Sequence, residues 1–253
     1  MYAGLDVGSR TIKLATIGSA IKDAVVIPTG VDPLRRCREL LAGRQFNGIV
    51  VTGYGRHLVA RQVGGEIVSE IKAFAVGARY LFPDCRSVID VGGQDSKVIM
   101  LSEKGDVQKF EMNDRCAAGT GKFLEVMAHT LEVDISEMGN LALSATKQLK
   151  INNLCTVFAE SEVVSLIARG AKSGDIALAL HEAIATRLEA MAKRVGVKEG
   201  VVFAGGGSLN VCLRKLLEQK MEIKLNVPDS PQMVGALGAA LLAKQDKNDG
   251  KRG

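Results

Sequence analysis

One turn occurs twice in this chain. Residues 4–14 and residues 88–98 each run from an apolar strand through a glycine turn into a second apolar strand. Aligning the two segments superimposes four identical residues within an eight-residue core: Asp6, Val7, Gly8 and Lys13 match Asp90, Val91, Gly92 and Lys97. A single copy would be an ordinary β-hairpin with a glycine turn, but two copies with these identities indicate an internal duplication.

The duplicated turn combines an acid, small polar groups and a lysine. Glycine at such a turn lets backbone amides approach a phosphate closely, because no side chain blocks the way. Two such hairpins facing each other could hold a triphosphate and its Mg²⁺ from both sides. The repeat therefore favours nucleotide binding over a purely structural turn.

Strand and helix patterns alternate along the chain of 253 residues, of which 47% are apolar, enough to build a full core. Mixed strands and helices with an internal duplication predict an α/β fold of two lobes around a cleft. We place the first lobe at residues 1–84 and the second at residues 85–253. A helix at residues 230–244, rich in small residues that allow close packing, is expected to cross to the first lobe.

Composition excludes several classes of protein. Aromatic residues make up only 4% of the chain and the net charge of +5 is dispersed among acids, so no nucleic-acid partner is expected. No run of about 18 apolar residues is present, so we expect no membrane partner. A strand pattern begins at Met1 and leaves no room for a signal peptide, so we expect a cytoplasmic protein with reduced cysteines.

Two further glycine clusters depart from known phosphate-binding motifs. Residues 119–122 resemble the end of a P-loop, but the motif would place its first glycine at Cys116 and its final hydroxyl at Phe123. Residues 205–207 fail the dinucleotide fingerprint, because position 210 is Asn210. A glycine triplet between a strand and a helix could still let an adenosine lie against the backbone, although a plain tight turn is the alternative.

Cys116 and Cys155 each lie just before a predicted helix. A helix N-terminus stabilises a thiolate, which is the form that binds iron. Neither cysteine belongs to a CxxC pair, and two thiolates are half of what a cubane cluster requires, so a two-fold dimer would supply four. Two buried structural cysteines are the alternative from the residues alone. The other three cysteines have ordinary core settings: Cys37, Cys85 and Cys212.

Together these segments resemble the BadF/BadG/BcrA/BcrD ATPase family, and in particular the iron–sulfur activators of 2-hydroxyacyl-CoA dehydratases. The matching stretches span nearly the whole chain: 4–13, 51–56, 89–97, 112–125, 155–162 and 203–207. The resemblance implies an actin-like fold and a homodimer that shares one [4Fe-4S] cluster through Cys116 and Cys155 of both subunits. It also implies that ATP hydrolysis drives one-electron transfer to a partner enzyme with its own iron–sulfur cluster.

The resemblance assigns roles to individual residues. Asp6 and Asp90 are expected to hold the waters around Mg²⁺, and hydrolysis then depends on positioning and charge stabilisation. Contacts with phosphates or with the attacking water are expected from the two turns: Gly8, Ser9, Thr11, Lys13, Gly92, Gly93 and Gln94. The adenosine side of ATP or ADP is expected at Gly205, Gly206, Gly207 and Asn210. Either Glu160 or Glu162 could face the nucleotide, although a plain surface position is the alternative.

Residues 71–74 depart from the family pattern, because Ile-Lys-Ala-Phe stands where close relatives often carry a Cys-His pair. The departure leaves open which iron–sulfur acceptor is the partner, a 2-hydroxyacyl-CoA dehydratase or another low-potential reductase. Two other classes of function also use such hairpins. A small-molecule kinase on the same fold would leave Cys116 and Cys155 as core residues, and a non-enzymatic nucleotide switch would assemble in response to nucleotide and carry no iron.

Overall fold

The computed structural model describes residues 1–151 and 155–249 as two compact units. In chain order they form β1 (Tyr2–Val7), β2 (Thr11–Ile17), β3 (Ile21–Pro28), α1 (Pro33–Leu41), β4 (Gly48–Thr52), α2 (Arg56–Val63), β5 (Glu66–Ile67), α3 (Glu70–Leu81), β6 (Ser87–Val91), β7 (Ser96–Leu101), β8 (Val107–Asn113), α4 (Gly121–Thr130), α5 (Met138–Leu143), α6 (Thr156–Ala168), α7 (Ser173–Val195), β9 (Val201–Ala204), α8 (Val211–Met221), β10 (Leu225–Asn226) and α9 (Val234–Asp249). Short 3-10 turns at Gly206–Leu209 and Pro231–Met233 precede α8 and α9.

The first unit comprises Met1–Arg86, Leu101–Gln108 and the described residues from Pro228 onward. Its sheet has the order β3-β2-β1-β4-β5, with β1 antiparallel to β2 and parallel to β4. Apolar side chains of β1 and β2 pack with Cys37 of α1 and with Val59 of α2. Helix α1 begins at a side-chain cap, since Asp32 accepts a hydrogen bond from the Arg35 amide (3.0 Å) ahead of Pro33.

Helix α9 belongs to this first unit and packs closely against β1 and α3. A Cβ atom at Gly4 of β1 would collide with the Ala236 carbonyl, and one at Gly238 would collide with the Ala73 carbonyl. Backbones approach this closely only where side chains are absent or small. The close packing predicted for this helix from its small residues is confirmed.

The second unit comprises Ser87–Met100 and Lys109–Val227. Its sheet has the order β10-β9-β6-β7-β8, in which β6 is antiparallel to β7 and parallel to β9. This is the strand order of the first unit repeated, so the duplication seen in the two hairpins extends to whole sheets. Helix α7 is the longest element of the unit and ends at Gly196, whose φ of +81° suits glycine.

The core of the second unit joins β6, β7 and β9 to α4, α7 and α8. Its buried side chains include Phe123, Met127, Leu180 and Leu188. Burying a side chain of this size stabilises a fold by about 1.5–3 kcal/mol. None of the described helices is both long enough and apolar enough to cross a membrane.

Candidate functional site

The two duplicated hairpins hold matching ion pairs. Asp6 lies directly opposite Lys13 in the β1–β2 register, and their charged atoms are 3.1 Å apart. Asp90 lies opposite Lys97 in the β6–β7 register, at 3.0 Å. Directly opposed residues of an antiparallel pair project from the same face, so the sequence repeat places one acid–lysine pair in each unit.

The turns that close the hairpins also match. In the first, the Gly8 amide donates to the Thr11 carbonyl (3.1 Å), and in the second, the Gly92 amide donates to the Asp95 carbonyl (2.9 Å). The residues at the turn tips reach solvent in both units, namely Ser9 and Arg10 in one and Gly93 and Gln94 in the other. Each turn can therefore present backbone amides and short polar groups to a ligand.

The two lysines differ in their freedom to move. Lys97 is only 1% exposed and contacts a second acid, Asp95, at 2.5 Å. The equivalent of Asp95 in the first hairpin is Thr11, and the Lys13 side chain keeps 14% of its surface exposed. Lys13 is thus the better placed of the two to leave its acid for a phosphate.

A glycine ends the strand beside each acid. Gly53 follows β4 with φ +91°, and a Cβ there would lie 2.6 Å from Oδ1 of Asp6. Gly205 follows β9 with φ +80°, and a Cβ there would collide with Oδ1 of Asp90. Sequence reasoning found Gly205 as a site residue but missed Gly53. The available signal was the spacing Gly-x-Gly, which follows both parallel strands at residues 53–55 and 205–207.

The Asn210 side chain makes hydrogen bonds within the protein. Its Oδ1 accepts from the Leu213 amide (3.0 Å) as the N-cap of α8, and its Nδ2 contacts Nε2 of His181 at 2.8 Å. Since Nδ1 of His181 lies 2.7 Å from the Ala177 carbonyl, the ring proton belongs on Nδ1 and Nε2 accepts from Asn210. Burial lowers the pKa of His181 and keeps the ring neutral. The Asn210 side chain therefore fixes the start of α8, directly after the Gly205–Gly207 turn.

Cys116 and Cys155 are the two cysteines that are not buried, and Cys155 is the more exposed. Cys155 caps the N-terminus of α6, as predicted. Cys116 differs from the prediction, because a turn separates it from α4, whose N-cap position is Thr120. Burial raises the pKa of the Cys37 and Cys212 thiols to about 11, which disfavours the thiolate there.

The loop that carries Cys116 is tied to the second hairpin. The first amides of α4 donate to the turn, Gly121 to the Gly92 carbonyl (2.9 Å) and Lys122 to the Gly93 carbonyl (2.8 Å). At the other end of the loop, Nδ2 of Asn113 donates to the carbonyl of Cys116 at 3.0 Å. The Gly92–Gly93 turn is therefore hydrogen-bonded directly to the first turn of the helix that follows the cysteine loop.

Helices α4 and α6 are linked by a hydrogen bond from the Thr130 hydroxyl to Glu160 (3.3 Å). Glu160 thus faces α4, and Glu162 is half-buried two residues further along α6. No group of three or more metal-binding side chains is assembled within residues 1–151 and 155–249. The thiols of Cys116 and Cys155 are accessible and have the chemistry of cluster ligands, but one chain would supply only two of the four thiolates that a cubane requires.

Comparison with known proteins identifies relatives over nearly the whole chain. The family model described as the BadF/BadG/BcrA/BcrD ATPase family matches residues 31–243. The chain is 40% identical over 250 residues to the (R)-2-hydroxyglutaryl-CoA dehydratase activating ATPase of Acidaminococcus fermentans, covering 95% of each chain. It is 32% identical to one of the subunits of benzoyl-CoA reductase from Thauera aromatica, covering 94% of this chain and 91% of that protein.

Solved structures give the same result. The activator of the 2-hydroxyisocaproyl-CoA dehydratase from Clostridium difficile with bound ADPNP superimposes with a TM-score of 0.90 at 38% identity, covering 100% of this chain and 97% of the other. A ROK family glucokinase from Streptomyces griseus, at 13% identity, has a TM-score of 0.61 over 96% of this chain and 99% of its own. The fold is therefore actin-like, as predicted, and the chain belongs to the BadF/BadG/BcrA/BcrD ATPase family.

Proposed function

We propose that this protein is an ATP-hydrolysing homodimer that carries one [4Fe-4S] cluster and delivers low-potential electrons to a partner iron–sulfur enzyme. The partner would be a 2-hydroxyacyl-CoA dehydratase or a related reductase, by analogy with the relatives named above. One observation carries the proposal: the hydrogen bonds from Gly121 and Lys122 join the Gly92–Gly93 turn to the helix after the Cys116 loop. Through that connection a change at the phosphate-binding turn would reach the cysteine loop.

The hairpins would bind the nucleotide. Bound Mg²⁺ would be held through water by Asp6 and Asp90, and it would neutralise charge on the phosphates. Lys13 would exchange its ion pair with Asp6 for one with a phosphate, since its side chain already reaches solvent. Gln94, exposed at the tip of the second turn, would orient the attacking water.

The two accessible cysteines would hold the cluster across a two-fold axis. When bound, a [4Fe-4S] cluster supplies a one-electron carrier, and four thiolates from two chains complete its ligand set. Helix α6 supports a dimer contact here, because Val157, Phe158 and Val164 are exposed apolar side chains on the helix that Cys155 begins. Exposed apolar groups of this kind mark interaction surfaces.

Iron content tests the proposal. Anaerobically reconstituted protein should be brown and hold about four irons per dimer, as a shared cubane requires. Cys116→Ala and Cys155→Ala should each abolish iron binding, whereas the matched controls Cys37→Ala and Cys212→Ala should retain it. A colourless, iron-free dimer would overturn the electron-donor function and leave a kinase or a nucleotide switch.

The phosphate hairpins are tested separately. Asp6→Asn and Asp90→Asn should each remove most ATP hydrolysis while the absorption spectrum of the cluster stays normal, because both acids are proposed to act on Mg²⁺ and neither is proposed to contact the cluster. Unchanged turnover in both variants would show that the hairpins are structural.

A further inference from the structure

Helix α7 reaches the Cys116 loop through one arginine. Nη2 of Arg187 donates to Oδ1 of Asn113 at 3.2 Å. Nδ2 of the same asparagine donates to the carbonyls of Cys116 (3.0 Å) and Ala118 (2.9 Å). The amide orientation is self-consistent, since its oxygen faces a donor and its nitrogen faces two acceptors. Asn113 therefore spans the loop, and Arg187 holds Asn113.

The stem of Arg187 also contacts the loop directly. Gly119 has φ +85°, and a Cβ there would lie 3.0 Å from Cδ of Arg187. The Nε atom of Arg187 is buried without a hydrogen-bond partner in the described part of the chain. An unpaired buried donor is unfavourable for folding, so stability alone does not account for a guanidinium at this place.

The same helix holds the Gly205–Gly207 turn. Six residues before Arg187, or about 9 Å along the axis, His181 contacts the Asn210 amide that follows the turn. The buried His181 side chain therefore anchors α7 beside this turn. The anchored helix gives the Cys116 loop a fixed support.

We propose that Arg187 is a positioning residue, which holds the Cys116 loop through Asn113 and Gly119 so that the thiol is presented to the cluster. The proposal rests on the proposed function only in that it assumes a cluster bound at Cys116. The contacts themselves need no iron, so the loop can be tested in iron-free protein.

A second arginine provides a matched control. Arg194 lies on α7 one heptad after Arg187, and it binds Glu111, two residues before Asn113 on β8, at 2.6 and 2.9 Å. The pair joins the same two elements, but the Arg194 side chain is 60% exposed and its hydrogen bonds go to Glu111, outside the loop.

Hydrogen exchange of residues 114–120 in the iron-free protein tests whether Arg187 and Asn113 restrain the Cys116 loop. Arg187→Met keeps the stem and removes the guanidinium, and Asn113→Asp keeps the shape and removes the two donations. We expect either change to speed exchange of the loop about fivefold to tenfold, because hydrogen bonds that restrain it are lost. Arg194→Met should leave the loop unchanged.

The reconstituted protein gives the second readout. An iron chelator should remove the cluster several-fold faster from Arg187→Met and Asn113→Asp than from Arg194→Met or the unmodified chain. Loop exchange within twofold of the unmodified chain in both variants, or equal loosening in Arg194→Met, would overturn the role of Arg187. An unmodified chain that takes up no iron would instead overturn the proposed function.

Discussion

Alanine at Gly53 should damage the site by two separable effects. The φ of +91° costs an alanine about 1–2 kcal/mol. The added Cβ would lie 2.6 Å from both the Asp6 carboxylate and the Val7 carbonyl. Because strand backbone is one of these neighbours, it cannot move aside freely, and crowding of this kind costs about 1–3 kcal/mol more.

Gly64 separates the two effects. It has φ +67° in the same unit, but a Cβ there meets nothing within 4 Å. We expect Gly64→Ala to lower the free energy of unfolding by the conformational part alone, about 1–2 kcal/mol. Gly53→Ala should lower it by about 2–5 kcal/mol and should also weaken Mg²⁺-dependent ADP binding, since the Asp6 carboxylate is displaced.

Urea unfolding followed by circular dichroism measures the first difference, and titration with a fluorescent ADP analogue measures the second. Gly205→Ala against Gly196→Ala repeats the comparison in the other unit, where Gly196 also has open space around it. If Gly53→Ala and Gly64→Ala proved equally stable and bound ADP equally well, Gly53 would have no part in holding Asp6.

Three further outcomes are expected. Lys13→Met should weaken ADP binding with little loss of stability. Lys97→Met should instead destabilise the protein by about 3–5 kcal/mol, because the buried Asp90 loses its cation. Urea unfolding and ADP titration measure the two effects, and equal effects in both variants would show that the hairpins are equivalent. Burial lowers the pKa of His181 in the folded protein, so the protein should lose stability as pH falls below about 6.5. The loss is at most about 1.4 kcal/mol per pH unit. His181→Gln should therefore flatten the pH dependence of urea unfolding between pH 7 and 5. Chelation of iron should be faster with a non-hydrolysable ATP analogue than with ADP, since electron delivery requires access to the cluster. Equal chelation rates at saturating nucleotide would contradict a coupling between the bound nucleotide and access to the cluster.

The sequence is sufficient to predict those features that depend on neighbours along the chain. The acid–lysine pairs follow from the spacing of Asp6 and Lys13 across a short turn, and Lys13 lies opposite Asp6 in the observed register. The N-cap at Asp32 is equally local, because it needs only the amide three residues on.

Features that depend on distant segments were not predictable in this way. Gly53 approaches Asp6 only because β4 lies parallel to β1, and no short-range pattern specifies that pairing. Asn113 and Arg187 meet across 74 residues. The turn between Cys116 and α4 was missed for a different reason, since its small residues are compatible with the first turn of a helix.

The two hairpins differ in how firmly they hold their lysines. In the first, Thr11 replaces the second acid and leaves Lys13 partly exposed, so the lysine can change partners at small cost. In the second, Asp90 and Asp95 fix a buried Lys97, while the turn carbonyls accept the first amides of α4. The contacts of Lys97 with Asp90 and Asp95 hold the second hairpin in one arrangement. The cysteine loop is accordingly attached to the hairpin whose lysine is locked, which is the arrangement expected if the first hairpin recognises phosphate charge and the second transmits its presence.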